Sequence, residues 1–277
     1  MPLLRGIVMR SKLKLAHKRV LAQACSLAAC CAGFSAAAKT GLVAPFMFCH
    51  GCPLASVACP IGALQHFAAA RRFPFLLLGM LGLAFLLLGR AACGWLCPFG
   101  AFQDLLAWLS GRKAGERPVG TSCSRLDAWG RQGKAAILFG TLLSAYLLAE
   151  TTFCWFCPVG ALFAAIPYRL AMPSARVGVF FYVHLAVLAA VALWAIHTPR
   201  AWCRYLCPLG ALAGQANRAS LLAMALDEQA CTRCHACLRA CPMGILELQA
   251  IGGPECVLCG FCVETCPTGA LRFVFRS

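Results

Sequence analysis

The chain has 277 residues, of which 61% are hydrophobic and only 12% are charged, and it contains 21 cysteines. A soluble domain of this length would carry roughly twice that charged fraction, so the composition predicts a membrane protein with a small soluble appendage. The net charge of +16 does not indicate a nucleic-acid partner, because the basic residues lie between apolar runs. A secreted disulfide framework is excluded, since such domains are short and polar.

Four apolar runs predict four transmembrane helices, because about 20 apolar residues cross a bilayer. A basic N-terminal segment, residues 1–19, precedes them, and the runs cover residues 20–38, 73–89, 135–153 and 177–196. In the first run, residues 27–30 resemble a lipoprotein signal and residues 36–38 a signal-peptidase site, so cleavage stays open beside a retained helix. Residues 39–73 are apolar but broken by prolines and glycines, which favours a re-entrant segment.

The distribution of Lys and Arg predicts the orientation of these spans. Segments 1–19 and 90–134 hold six and seven basic residues, whereas segments 39–73 and 151–176 hold five between them. We therefore expect a multi-pass protein of the bacterial inner membrane, with the N-terminus and the C-terminal domain in the cytoplasm. The predicted membrane domain covers residues 20–212.

One tetrapeptide, Cys-Pro-x-Gly, recurs along the chain, beginning at Cys59, Cys97, Cys157, Cys207, Cys241 and Cys266. The first four copies alternate between the predicted outer and inner faces, which predicts two parallel repeats related by an axis along the membrane normal. A C-x3-C-P motif supplies two thiolates, whereas a [4Fe-4S] cluster needs four. The two inner copies are therefore expected to meet and form one site, which we refer to as the inner quartet: Cys93, Cys97, Cys203 and Cys207.

The predicted outer face holds five cysteines, one more than a cluster needs. We refer to them as the outer pool: Cys49, Cys52, Cys59, Cys154 and Cys157. A cluster, a zinc ion and disulfide bonds all remain open for this pool, and zinc or unligated thiols remain open for the inner quartet. The remaining cysteines outside the C-terminal domain are expected to be small buried side chains or an ordinary loop thiol: Cys25, Cys30, Cys31 and Cys123.

The C-terminal residues 229–277 contain the motif C-x2-C-x2-C-x3-C-P twice, after a predicted linker over residues 213–228. In this motif three cysteines hold one [4Fe-4S] cluster and the fourth holds the other cluster. Zinc sites rarely combine this spacing with a proline after the last cysteine. Cluster site I is therefore predicted to use Cys231, Cys234, Cys237 and Cys266, and cluster site II to use Cys256, Cys259, Cys262 and Cys241.

The predicted fold is an all-α membrane domain of four transmembrane helices with a C-terminal α+β two-cluster ferredoxin-like domain. With its basic N-terminus, its inner motifs at Cys93 and Cys203 and its C-terminal cluster motifs, the chain resembles the NapH/MauN family of membrane polyferredoxins over nearly its whole length. The resemblance implies a quinol dehydrogenase component that passes electrons from the quinol pool towards a partner redox protein. The alternative is an iron–sulfur assembly or maturation factor that supplies electrons for metal insertion into another protein.

Oxidation of a quinol releases two protons, so groups that accept protons are expected beside the first electron acceptor. The candidates near the outer motifs are His50, His66 and Glu150. Glu150 can equally be an interfacial acid whose carboxylate reaches water. His184 lies within the fourth apolar run and is expected to be a hydrogen-bonded packing residue. A haem with two histidine ligands is not expected, since that run offers no second histidine.

Overall fold

A computed structural model describes residues 15–34, 39–111, 124–174 and 176–276. Most of the regular structure in those ranges is helical. Its α-helices are α1 (Leu15–Cys30), α2 (Pro60–Ala69), α3 (Phe75–Leu88), α4 (Ala91–Trp95), α5 (Pro98–Leu109), α6 (Ser124–Leu148), α7 (Pro158–Gly160), α8 (Ile166–Ala171), α9 (Val179–His197), α10 (Pro208–Ala216), α11 (Ala236–Arg239) and α12 (Phe261–Thr265). Two π-helical turns, Ala161–Ala165 and Trp202–Leu206, and two 3-10 turns, Thr152–Phe156 and Leu248–Ala250, complete the helical segments.

The prediction of four transmembrane helices is wrong. Within the described ranges, α9 is the one helix that is long and apolar enough to cross a membrane. Helix α3 follows Pro74, ends at Gly89 and has 14 residues, so it extends about 21 Å, less than the roughly 30 Å of a hydrocarbon core. Helix α1 ends at Cys30 rather than at residue 38, and α6 has a charged N-terminal half. The possible cleavage site at residues 36–38 and Cys123 lie outside the described residues.

The C-terminal domain is closed by a small sheet. Strand β1 (Leu222–Leu226) pairs antiparallel with strand β2 (Leu271–Phe275), with Met224 opposite Phe273. Strand β1 lies within the predicted linker over residues 213–228 and pairs with the last strand of the C-terminal domain. The sheet brings the two ends of the C-terminal domain together around its cysteine motifs.

Two buried clusters hold the molecule together. In the first, side chains from the helices that follow the Cys-Pro motifs pack against each other and against Phe48, which precedes α2. Phe48, Ile61, Phe99, Val159 and Leu209 are no more than 1% exposed. The second joins residues beside the inner quartet to apolar residues of the C-terminal domain, among them Ala91, Met243, Val257 and Leu258. The C-terminal domain is therefore packed directly against the inner quartet.

Two hydrogen bonds from side chains to backbone carbonyls and one close approach at a glycine fix this packing. Trp95 Nε1 donates a hydrogen bond to the carbonyl of Leu258 at 2.9 Å, and Asn217 Nδ2 donates to the carbonyl of Cys256 at 2.6 Å. A Cβ atom at Gly94 would lie 2.2 Å from the carbonyl oxygen of Val257. Only glycine therefore allows the loop of the C-terminal domain to approach α4 this closely.

Candidate functional site

The four Cys-Pro-x-Gly copies that precede the C-terminal domain each start a helix. The cysteine has an extended backbone, for example φ −69° and ψ 113° at Cys97, because a following proline disfavours the helical region. The proline is the first helical residue, where its missing N–H is not needed. The Sγ atoms of Cys59 and Cys97 accept backbone N–H groups of Gly62 and Gly100 at 3.4 Å. Each motif thus places a thiol at a helix N-terminus, where partial positive charge favours the thiolate.

The structure brings the inner quartet together. Cys97 and Cys207 precede α5 and α10, Cys93 lies in α4, and Cys203 lies in the turn Trp202–Leu206. Burial, followed by the charges of Cys203 and Cys93, raises the pKa of the Cys97 thiol well above its usual value. The same causes raise the pKa of Cys207. Four thiols from two distant parts of the chain therefore converge in a buried site.

Four members of the outer pool converge in the same way. Burial is the main cause that raises the pKa of Cys59 to about 12, and Cys49 and Cys154 add to it. The pKa of Cys157 is raised by burial and then by Cys59 and Cys49. We refer to Cys49, Cys59, Cys154 and Cys157 as the outer quartet.

The fifth member of the pool, Cys52, lies at the edge of this group. It adjoins Cys49, but it also lies beside Cys31, whose pKa is raised to about 11 by burial, by Cys52 and by Cys30. All the described cysteines are free of disulfide bonds. Cys30 is buried as expected, whereas Cys25 is exposed.

Two buried glutamines, which the sequence analysis missed, connect the two halves of each quartet. Gln103 donates from Nε2 to the Sγ of Cys203 at 3.2 Å, and its Oε1 accepts the backbone N–H of Trp202 at 3.1 Å. Gln65 repeats this arrangement with Cys154 at 3.7 Å and with the N–H of Phe153 at 3.0 Å. Both glutamines lie six residues after a Cys-Pro cysteine, and that repeated position is the signal in the sequence.

Two buried arginines, also missed, cross between the halves of the inner quartet. Arg90 lies three residues before Cys93 but donates to the carbonyl of Cys203 at 3.5 Å. Arg200 lies three residues before Cys203 and donates to the carbonyl of Cys93 at 3.4 Å. Arg200 also forms an ion pair with Asp104 at 2.7 Å. The same sequence, Arg-Ala-x-Cys, occurs at both positions and could have indicated that the two arginines have equivalent roles.

In the four Cys-Pro-x-Gly copies that precede the C-terminal domain, the glycine lies against one cationic or imidazole side chain. The closeness of this contact is given by the distance from an ideal Cβ at the glycine to the nearest atom of that side chain. The distances are 3.4 Å from Gly100 to Arg200 Nη2, 3.0 Å from Gly210 to Arg90 Nη2, 2.9 Å from Gly62 to His50 Cε1 and 3.7 Å from Gly160 to His184 Nε2. Histidines at the outer quartet therefore occupy the places that arginines occupy at the inner quartet.

The residues proposed to accept protons lie on the surface near the outer quartet. His50, His66 and Glu150 are all exposed, and the ring of His50 lies over Gly62 as described above. His184 is half-buried and hydrogen bonded, as expected, and its partner is the carbonyl oxygen of Cys154, 2.7 Å from its Nε2.

The cysteines of the C-terminal domain line two small cavities. Cys231, Cys234, Cys237 and Cys266 line one of them, and Cys241, Cys256, Cys259 and Cys262 line the other. The loops wind around these cavities through left-handed residues on either side of the middle cysteine, namely Arg233, His235, Leu258 and Gly260. Such turns direct successive backbone N–H groups inward and form concavities that bind anionic clusters.

The donor set in both parts of the chain fits iron–sulfur clusters. Within the described ranges, no group of three or more His, Cys, Asp or Glu is close enough to hold one metal ion. A [4Fe-4S] cube is larger than an ion and separates its four thiolates more widely. Four-thiolate groups with buried walls and inward N–H donors therefore match the requirements of such a cluster.

The four groups follow one another through the molecule. The Sγ of Cys97 lies 4.0 Å from the carbonyl oxygen of Met47, two residues before Cys49. On the other side of the inner quartet, Arg19 pairs with Asp104 at 2.8 Å and covers the ring of Phe261 at 4.3 Å. Cys237 of site I also borders the cavity of site II. The order is outer quartet, inner quartet, site II and site I.

Known protein families match most of these segments. A 4Fe-4S binding domain family matches residues 56–75, 72–115, 135–169 and 179–224, which together make up about half of the chain. A second family of the same description matches residues 224–247 and 255–272. The chain therefore contains several 4Fe-4S binding domains, and they include all four cysteine groups in part or in full.

Individual proteins that are similar to this chain are described as ferredoxin-type proteins. The chain is 30% identical over 154 residues to the methylamine utilization ferredoxin-type protein MauN of Methylorubrum extorquens, covering 55% of this chain and 47% of the relative. It is 30% identical over 194 residues to the ferredoxin-type protein NapH of Haemophilus influenzae, covering 67% and 59%. The matches thus span about half the length of these relatives.

No solved structure matches the chain. The chain belongs to the family of ferredoxin-type 4Fe-4S proteins that includes NapH and MauN.

Proposed function

We propose that this ferredoxin-type electron-transfer protein is a membrane-associated relay that carries electrons between the quinol pool and a partner redox protein. The observation that carries the proposal is the arrangement of sixteen cysteines in four groups of four that follow one another through the molecule. Each group would hold a [4Fe-4S] cluster, which supplies one-electron transfer when bound. A continuous series of such sites suits a relay better than a single catalytic centre.

The surrounding residues support this role. The Cys-Pro helices direct their N-termini at the thiolates, which stabilises negative charge there. Gln103 donates a hydrogen bond to the Sγ of Cys203, and hydrogen bonds to cluster sulfurs are among the factors that set a reduction potential. The chain thus holds the thiolates of the inner quartet in a buried setting from which water is largely excluded.

Helix α9, together with the apolar surface beside it, is the proposed contact with the membrane. It exposes large apolar side chains, including Val179, Tyr182 and Leu193. Exposed apolar residues on α3, such as Phe75 and Leu76, extend the apolar surface, and apolar patches of this kind mark a contact with lipid or a partner.

Quinol is proposed to deliver its electrons at the outer quartet. It reaches a protein from within the bilayer, and each quinol must release two protons as it gives up two electrons. His50, His66 and Glu150 provide exposed groups beside the outer motifs that can accept those protons. The electrons would then pass singly towards the inner quartet.

The test compares two ways of reducing the clusters in the Glu150→Gln and His50→Ala variants. We expect reduction by a quinol analogue to slow while chemical reduction by dithionite stays unchanged, because only the first route needs proton acceptors. Reduction is followed by the bleaching of visible absorbance, and a Glu228→Gln variant on the distant C-terminal domain serves as the control.

Unchanged quinol kinetics in both variants would contradict entry at the outer quartet. Quinol would then have to bind elsewhere, and the described residues offer an apolar cavity of about 770 Å³ between α1 and α5 with Arg19 and Asp104 in its wall. The identity of the partner redox protein is tested by purification of the full chain from the membrane and identification of the proteins that accompany it.

A further inference from the structure

The inner and outer quartets share one design but differ in charge. In both, a glutamine from one half bonds to the other half, and each motif glycine faces a nitrogen-bearing side chain. At the inner quartet these side chains are Arg90 and Arg200, whereas at the outer quartet they are His50 and His184. The two sites therefore present the same scaffold with a different electrostatic setting.

The arginines are permanently charged and fully buried. Arg90 and Arg200 are 1% and 0% exposed, and a guanidinium does not lose its proton in proteins. Their hydrogen bonds to the carbonyls of Cys203 and Cys93 place them beside the ligand residues themselves. Within the described ranges, no Lys or Arg side chain makes a hydrogen bond to a cysteine of the outer quartet.

Acidic neighbours reduce this positive charge only in part. Asp104 accepts bonds from Arg200 and from Arg19, so one carboxylate is shared by two guanidinium groups. Glu255 lies 3.8 Å from Arg90 but also pairs with Lys134. The surroundings of the inner quartet therefore keep an excess of positive charge.

We propose that Arg90 and Arg200 hold the reduction potential of the inner quartet above that of the outer quartet, so that electrons move from the outer to the inner site. The proposal rests on the proposed function, because it requires a cluster in each quartet. Reduction adds one negative charge, and a buried positive charge nearby stabilises the reduced form because the local dielectric constant is low. In the transfer one electron leaves the outer site and enters the inner site, and no bond or proton changes place.

The experiment measures the midpoint potentials of the full-length protein by redox titration followed with electron paramagnetic resonance. The inner signal is the one that is lost in a Cys97→Ala variant. We expect Arg200→Gln to lower the inner midpoint potential and to leave the signals of sites I and II in place. Arg200→Lys keeps the charge and should retain most of the wild-type potential.

A reciprocal variant tests the same idea without touching the buried arginines. His184 is half-buried, with its Nε2 2.7 Å from the carbonyl oxygen of Cys154, and it holds the corresponding place at the outer quartet. His184→Arg adds a permanent charge there and should raise the midpoint potential of the outer signal. This variant decides the matter if Arg200→Gln fails to hold its cluster. An outer potential that stays unchanged in His184→Arg would overturn the proposal.

Two further outcomes would also overturn it. In the first, the inner midpoint potential of Arg200→Gln equals that of the wild type. In the second, Arg200→Lys lowers this potential as far as Arg200→Gln does, which would mean that hydrogen-bond geometry rather than charge sets it. Failure of the proposed function gives different results. A protein without clusters in the two quartets shows only the signals of sites I and II. A protein that holds all four clusters but does not react with quinol still gives its midpoint potentials in a chemical titration.

Discussion

Single buried side chains decide how the two halves of each quartet meet. Gln103 joins α5 to the segment that carries Cys203, and it does so with both ends of its amide. Removal of the amide would leave the buried N–H of Trp202 without a partner, and an unsatisfied buried donor costs about 1–3 kcal/mol. The quartet depends on this residue even though it is no ligand.

We expect a Gln103→Met variant to lose the inner signal at a lower temperature than the wild type. The side chains are similar in volume, so the loss of hydrogen bonds is the main change. The measurement is the decay of the inner resonance after heating steps, with Gln215→Met on the exposed surface of α10 as the control. Equal decay in the two variants would contradict a structural role for the amide.

Ligand membership gives a second prediction at this scale. Because Cys97 and Cys207 belong to one group, Cys97→Ala and Cys207→Ala should abolish the same resonance. Cys52→Ala should leave every resonance in place, because Cys52 lies beside Cys31 at the edge of the outer quartet. Loss of different signals in the first pair, or loss of the outer signal in Cys52→Ala, would show that the grouping is wrong.

At the scale of elements, the close approach of α4 and the C-terminal domain depends on one glycine. A Gly94→Ala variant would place a Cβ against the carbonyl of Val257, so the domain would have to shift. We expect faster hydrogen exchange over residues 254–260 and slower electron transfer into site II. Gly79→Ala on α3, where an added Cβ meets no atom within 4 Å, is the matched control and should behave as the wild type.

The elements also show what a sequence can and cannot predict. The structure brings together the same cysteines at the inner quartet and at sites I and II that the sequence had grouped. The grouping used the spacing of cysteines within each motif and the four thiolates that a cluster needs, and both can be read from the sequence. The spans were predicted wrongly because an apolar run does not reveal where a helix ends. Pro74 and Gly89 shorten α3, and the charged first turns of α6 lie in segment 90–134, which the sequence placed between two spans.

The missed residues have a common reason. Arg90, Arg200, Gln65 and Gln103 gain their roles from partners that lie far away in sequence, so their burial cannot be predicted from their own neighbours. Their repeated positions relative to the cysteines are visible in the sequence, but only the tertiary contacts show that each one reaches across to the opposite half. The histidines at the outer quartet differ in this respect, because His50 lies against Gly62 and His184 against Gly160, each within its own half.

For the whole molecule, the four cysteine groups predict about sixteen iron atoms and as many sulfide ions per chain. Anaerobic iron and sulfide analysis of the purified protein, with the protein concentration determined by amino-acid analysis, checks the number. A value of about eight of each would leave only sites I and II filled, and would contradict clusters at both quartets. A Cys231→Ala variant, expected to lose up to four iron atoms, calibrates the assay.

The packing of the C-terminal domain has a consequence for how the relay works. Its loop is held against α4 by Trp95, by Asn217 and by the absence of a side chain at Gly94, so it does not act as a swinging carrier on a tether. The gap between the inner quartet and site II is then constant, and the rate across it should not depend on the viscosity of the medium. In the proposed relay, a diffusing partner would meet the far end of the series, where Cys234 lies exposed at the surface.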